Sequence, residues 1–590
     1  MRATFGSAFL TMRAARFAVA MLLASLGLPG RAAADPATVF YDGHVFTATP
    51  DHPYAEAVAI RGDSIVAVGS REAVKAAAGA DATLVDLKGQ FLMPGMIDAH
   101  AHPIAGGVKL NMASFPTPAG PVSALIDFVE ARIKDKSSRL GDVLIVFDID
   151  LGYWLHIDEI EAALSSGADG KIPIVLSGSD GHTAWANKLA RERAGITAAF
   201  LKALPKDKKP YYGADKHGNP NGFVVDVGKH KLDTSLPEFS EAAMLAAGQG
   251  AVHYMNSVGL TGWLEAAVAG AVGGPEPLKA TEPGYLPVYR QLGQRGELTA
   301  HVVAYAVVRP AAGLGQVDEV EKLQKQFSGI PNFRVAGLKV FADGVVESPS
   351  QTALLSKPYI NSGNTTPELY TQQQMNALVT EADRRGLWVH VHAIGNLAVK
   401  NSLDAFEAAR KANPQSPRPF VMTHVQFADA TDTPRFAQLN VIAALQLLWA
   451  VADPVTIDPV EPFIDPAIFR TMYPARSILD GGGTIAGASD WPVSSANPFV
   501  AMFQAETRSG PKGVLNAAER VPRESMLYAY TRNAATALGQ LDSIGTIAAG
   551  KKADLVLIDR DVLTVSPEEL KNAQVVWTMF GGKTVYSRAH

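Results

Sequence analysis

The chain alternates between two apolar rhythms. From residue 39 to 92, and again from 545 to 585, apolar residues fall in short alternating runs broken by Asp42-Gly43, Arg61-Gly62-Asp63 and Gly550, the pattern of half-buried strands joined by tight turns. These strand-rich ends predict one β-sandwich over 35–94 and 540–590, built from both ends of the chain. Between them, solid apolar runs at 96–99, 260–263, 298–307, 335–341, 388–391, 420–423, 441–445 and 484–488 are separated by helical patterns such as 368–385 and 397–412. Eight such runs predict an α/β fold, a (β/α)8 TIM-like barrel over 95–539, with its chemistry at the C-terminal ends of the strands. The stretch between the first two runs is too long for one crossover. An inserted lobe at about 104–256, with strands at 143–147 and 172–176, is therefore expected over the barrel mouth. Loops at 204–222, 270–284 and 452–466 are candidate lids.

Polar residues at the run ends carry the candidate chemistry. His100 and His102 alternate along one strand, so both rings project from the same face and can hold one divalent metal. Asp98, on that face, is a candidate to orient one of the rings. Later runs end in His390 and His392, in His424, and in Ser489-Asp490, enough imidazole and carboxylate for one or two metals. Lys339 lies inside the fourth run, where a lone charge is costly. Either it reacts with carbon dioxide, giving a carbamate that bridges two metals, or it pairs with Asp343 four residues on.

Composition narrows the setting. The 590 residues carry a net charge of −5, which leaves no footprint for nucleic acid. Residues 1–34 read as a signal peptide: Arg13 and Arg16, an apolar stretch over 17–28, then Ala32-Ala33-Ala34. Its four arginines and lack of acids take the charge from −5 to −9 on removal. Secretion, into a bacterial periplasm, is expected, with no stable membrane insertion afterwards because no later stretch is apolar for 18 residues. The absence of cysteine removes disulfides and thiolate ligands from consideration.

The motifs Leu338-Lys339-Val340-Phe341-Ala342-Asp343-Gly344, Val391-His392-Ala393-Ile394-Gly395, Thr423-His424-Val425-Gln426 and Gly487-Ala488-Ser489-Asp490 join His100-Ala101-His102 and the terminal Gly545-Thr546-Ile547…Ala553-Asp554-Leu555. With Asp180-Gly181-His182-Thr183-Ala184-Trp185-Ala186-Asn187, they make the chain resemble the amidohydrolase superfamily, and within it the YtcJ-like group with its type-three amidohydrolase domain. The resemblance implies His100, His102 and Asp490 on one metal, His392 and His424 on a second, and carboxylated Lys339 between them. Two zinc ions are expected, with manganese or iron as alternatives. The family pattern has an aspartate where Asn396 stands, and His390 is placed either to support or to replace His392.

The implied reaction is hydrolysis of a non-peptide C–N bond in a small amide-like substrate by metal-activated hydroxide, with Asp490 as general base and acid. His182 either hydrogen-bonds the substrate oxygen or caps a helix expected at 184–193. Asp180, Trp154, Trp185, Gln446, Trp449 and Trp491 are the candidate substrate contacts, and His156, His217 and His230 are expected at the surface. A deaminase, an ester or lactone hydrolase, and a non-catalytic binding or regulatory protein are the alternatives. A homo-oligomer is compatible with the sequence.

Overall fold

Eight parallel strands follow one another around the barrel in chain order: Met96–Ala101, Leu260–Ala269, His301–Val307, Phe333–Phe341, Trp388–Ala393, Phe420–His424, Val441–Leu445 and Thr484–Gly487. The computed structural model describes residues 35–115, 120–166, 169–270 and 276–589; the expected signal peptide lies outside them. The strands read as apolar runs because both faces are covered. All ten residues of the second strand are buried, as are all six of the first. Burying each large aliphatic or aromatic side chain is worth roughly 1.5–3 kcal/mol, so such runs tolerate an isolated charge. Outer helices turn an apolar stripe inward; Gln372–Arg384 is fixed at its start by a capping box between Thr371 and Gln374.

The sheet does not close by a continuous ladder. Its first and eighth strands are tied at their upper ends, where Asp98 accepts from the Ser489 hydroxyl at 2.5 Å and from its amide at 3.1 Å. Just above, the Asp490 amide donates to the His100 carbonyl at 2.8 Å, and the His102 amide donates to the Trp491 carbonyl at 2.7 Å.

Strands from both ends of the chain share one eight-stranded mixed sheet, including Thr38–Phe46, Phe91–Pro94, Leu555–Ile558 and Val575–Phe580. Asp554 joins this sheet to the barrel floor. Its carboxylate meets His301 Nε2 at 2.8 Å, and its carbonyl accepts from the Gly95 amide at 2.8 Å.

The segment between the first two barrel strands carries a separate sheet that includes Val143–Ile149, Ile174–Gly178, Thr183–Ala186 and Pro220–Val225. Residues 183–186 form a strand, and the helix that follows, Lys188–Arg193, is capped by Asn187, whose side chain accepts from the Ala190 amide. His182 is therefore free of the capping role. Trp185 and Trp154 are core residues of this lobe: the Trp185 indole donates to the Asn221 carbonyl at 3.0 Å, and the Trp154 indole to Thr183 Oγ1 at 2.9 Å. Neither lines the cavity, which corrects their expected role as substrate contacts.

Candidate metal centre

A cavity of about 1230 Å³ opens at the C-terminal end of the barrel, between the strand ends and the lobe. His100, His102, Lys339, His392, His424 and Asp490 all line it. His100 Nε2 and His102 Nε2 lie 3.1 and 3.3 Å from Asp490 Oδ1, and the ligand atoms of these three residues fall within 4.8 Å of one another. The His392 and His424 rings are 4.4 Å apart, and His424 is 5.1 Å from His100.

Backbone geometry turns two of these side chains inward. His424 has φ 70° and Asp490 φ 56°, values that L residues adopt at a cost and that concentrate at functional sites. The kink falls on the last residue of the sixth strand and three residues past the end of the eighth, at the barrel mouth.

The far nitrogen of each ring decides which nitrogen faces the centre. His100 Nδ1 meets His390 Nε2 at 2.6 Å, leaving Nε2 toward Asp490. His424 Nδ1 donates to Gln446 Oε1 at 3.0 Å, also leaving Nε2. His392 is reversed: its Nε2 donates to the Gly344 carbonyl at 3.0 Å, so Nδ1 is free. Gly344 must be glycine, because a Cβ there would stand 2.1 Å from Thr352 Oγ1. Burial, then the Lys339 charge for His100 and His392 and the His392 charge for His424, hold all three imidazoles well below their usual pKa, in the neutral form that binds metal. Although burial pulls Asp490 upward, the His102 hydrogen bond and nearby positive groups hold it below the usual carboxylate range. Neutral imidazoles beside an ionised carboxylate fit a divalent metal, and among the described residues His100, His102 and Asp490 bring their ligand atoms together, with the His392 and His424 rings alongside.

Burial lowers the Lys339 amine to about 7. Its alternative partner is engaged elsewhere: Asp343 accepts from the amides of Leu354, Ile394 and Gly395 at 2.8–3.0 Å, tying the fourth strand's end to the fifth. His390 does not line the cavity; its ring lies nearly in the plane of His100 and meets it edge to edge through Nε2. Asp98 orients no ring, since its carboxylate binds the His100 amide and Ser489 instead.

Two more candidate contacts act through a ligand. Gln446 is fully buried between His424 and Thr423, and Trp449 stacks parallel to His424 at 5.8 Å, so both steady that ring. Trp491 turns away from the cavity and stacks on Tyr254 at 4.7 Å. Asn396, at the position of the family's aspartate, reaches Asp429 at 3.0 Å, which restores a carboxylate nearby.

Asp180 and His182 do reach the cavity from the lobe. Asp180 Oδ1 binds the amides of His182 and Thr183, fixing the turn. His182 Nδ1 lies 2.6 Å from Asp226 Oδ1. Burial opposes charge on His182, but the Asp226 bond outweighs it and lifts the pKa to about 9. Asp226 itself sits at φ 46°, ψ −109°, a strained conformation held by the bond from its amide to the His182 carbonyl. Sequence reasoning missed Asp226, and also Phe341, Ala267 and Val268, which give the cavity an apolar wall. His230 is at the cavity mouth, bonded to Glu276 at 2.9 Å, rather than on the outer surface.

A family model described as the amidohydrolase family matches residues 83–586. The chain belongs to the amidohydrolase family. It is a hydrolase of carbon–nitrogen bonds. Among its relatives, an N-substituted formamide deformylase of Arthrobacter pascens is 26% identical over 93% of this chain and 98% of its own length. The putative amidohydrolase YtcJ of Bacillus subtilis is 24% identical over 93% of this chain and 99% of its own. Among solved structures, an uncharacterized metal-dependent hydrolase from Pyrococcus horikoshii superposes with a TM-score of 0.67 at 21% identity, covering 90% of this chain and 99% of that one. That likeness carries the fold.

Proposed function

We propose that this amidohydrolase removes a small acyl group, in the formyl class, from an N-substituted amide. The observation that carries this reading is the union of six candidate ligands with a charged His182 in one cavity. The formamide deformylase relative supports the choice of bond. His100, His102 and Asp490 would hold one metal and His392 and His424 a second; the donors suit zinc, with manganese or iron as alternatives. When bound, such metals lower the pKa of water and polarise a carbonyl. The Lys339 amine, neutral in good part near pH 7, could combine with carbon dioxide to give a carbamate and a proton, and would then supply an anionic ligand between the two sites.

Asp490 accepts a proton from the attacking water and delivers it to the leaving nitrogen, so amide and water become carboxylic acid and amine. His182, held at Nδ1 by Asp226, turns its Nε2–H to the substrate oxygen, where negative charge develops. Phe341, Ala267 and Val268 take the apolar substituent. The leader exports this activity to a periplasm.

Zinc-loaded protein should release formate and amine from N-substituted formamides. Release of ammonia instead, or turnover confined to esters and lactones, overturns the formyl-amide reading. His182→Gln should lower kcat about 100-fold with zinc content unchanged. Because His182 donates only while protonated, wild-type kcat should hold below about pH 9 and fall above it, a limb absent from the variant. Equal kcat in both proteins refutes the role.

A further inference from the structure

The second barrel strand carries one charge, Glu265, and it is 0% exposed. Its two oxygens are used differently. Oε2 accepts from the Tyr289 hydroxyl at 2.6 Å, and that hydroxyl accepts in turn from the Trp263 indole at 3.3 Å. Stacking on Phe333 at 4.9 Å fixes the Tyr289 ring. Oε1 has no hydrogen bond and lies 3.9 Å from His102 Nδ1. Among the described residues no lysine or arginine pairs with Glu265, and the remaining favourable dipoles come from the Ala267 and Ile104 amides. A buried carboxylate with an idle oxygen and no cation is costly, and persists where another group completes it.

We propose that Glu265 is the positioning residue of His102 for a divalent metal, an inference that rests on the metal-site reading above. An imidazole that carries its proton on Nδ1, toward Oε1, presents a lone pair at Nε2, the nitrogen 3.3 Å from Asp490 Oδ1. Metal at Nε2 makes Nδ1–H a stronger donor and brings the positive charge that Glu265 lacks. The far nitrogens of His100, His392 and His424 already have hydrogen-bond partners in a neutral histidine, a carbonyl and an amide oxygen. His392 Nε2 also lies 3.7 Å from Asp343 Oδ1, but that carboxylate is taken up by three backbone amides, whereas Glu265 Oε1 has no hydrogen bond of its own. Tyr289 and Trp263 keep Oε2 occupied, so that Oε1 is the oxygen left for His102.

The test is zinc affinity, measured on the full mature protein by competition with a chelator, together with the visible spectrum of the cobalt-loaded protein. Glu265→Gln should lose about 10- to 100-fold in zinc affinity and shift the cobalt bands, while the metal-free protein melts no lower than wild type. Because Glu265 acts through His102, the double variant with His102→Ala should bind zinc no more weakly than His102→Ala alone. Tyr289→Phe should lose several-fold, and decides the matter if Glu265→Gln fails to fold. Unchanged affinity and an unchanged spectrum, or losses that simply add in the double variant, overturn the proposal. Wild-type protein that binds no zinc overturns the metal reading and this inference with it.

Discussion

Asp490→Asn should yield a folded protein whose kcat/KM on its C–N substrate falls about 1,000-fold or more, at the strong end of general acid–base effects. The amide keeps the shape of the carboxylate, but it cannot take the proton of the attacking water or return it to nitrogen. Zinc content should fall less than activity, because His100 and His102 remain to chelate. Metal analysis beside kinetics separates the two effects. Near-normal turnover in metal-loaded variant removes Asp490 from the chemistry and with it the proposed proton path.

Replacing Lys339 should have the second large effect. Lys339→Met loses the bridging anion, so zinc should drop from two ions per chain to one and turnover should fall by a factor of 100 or more, about 3 kcal/mol of barrier. Lys339→Ala leaves room for a short carboxylate, and propionate should restore part of the second equivalent. The metal-free protein should respond in the opposite sense. With its folded pKa lowered to about 7 from an ordinary 10.5, Lys339 weighs on the fold. Below pH 7 the folded chain must bury an ammonium, and the penalty is complete. Between 7 and 10.5 the folded state has shed that proton while the unfolded chain keeps it, and the penalty fades. Metal-free Lys339→Met should therefore melt above wild type, with the gap wider at pH 6 than at pH 9. Two zinc ions retained in Lys339→Met would refute the bridge.

The barrel was legible because strands buried on both faces leave runs of apolar residues, and the histidines because alternation assigns a face. Where reading failed, the cause was a partner distant in the chain. The apolar run reads as a strand only to 263, yet the second strand continues through Glu265 to Ala269; the charge is tolerated because Tyr289 meets it. The same signal that singled out Lys339, a lone charge in an apolar run, marks Glu265. Asp98 has the right parity to meet a ring, yet its oxygens go to Ser489, 391 positions away. Nearness in sequence to site residues makes tryptophans look like substrate contacts, but Trp154 and Trp185 pack into the lobe and Trp491 folds back on Tyr254. Which nitrogen each histidine presents depends on a carbonyl, an amide and a second imidazole that no periodicity reveals.

The tie between the first and eighth strands gives the site a place in the order of assembly. Asp98 and Ser489, His100 and Asp490, His102 and Trp491 meet only when the two edges of the rolled sheet come together, after every intervening strand has docked. A loop of that length is expensive to close, and such non-local contacts are slow to make. A partly folded chain carries all its histidines but lacks the chelate that the seam creates. The full centre thus exists only in the closed barrel, and metal retention doubles as a certificate that the barrel has been completed.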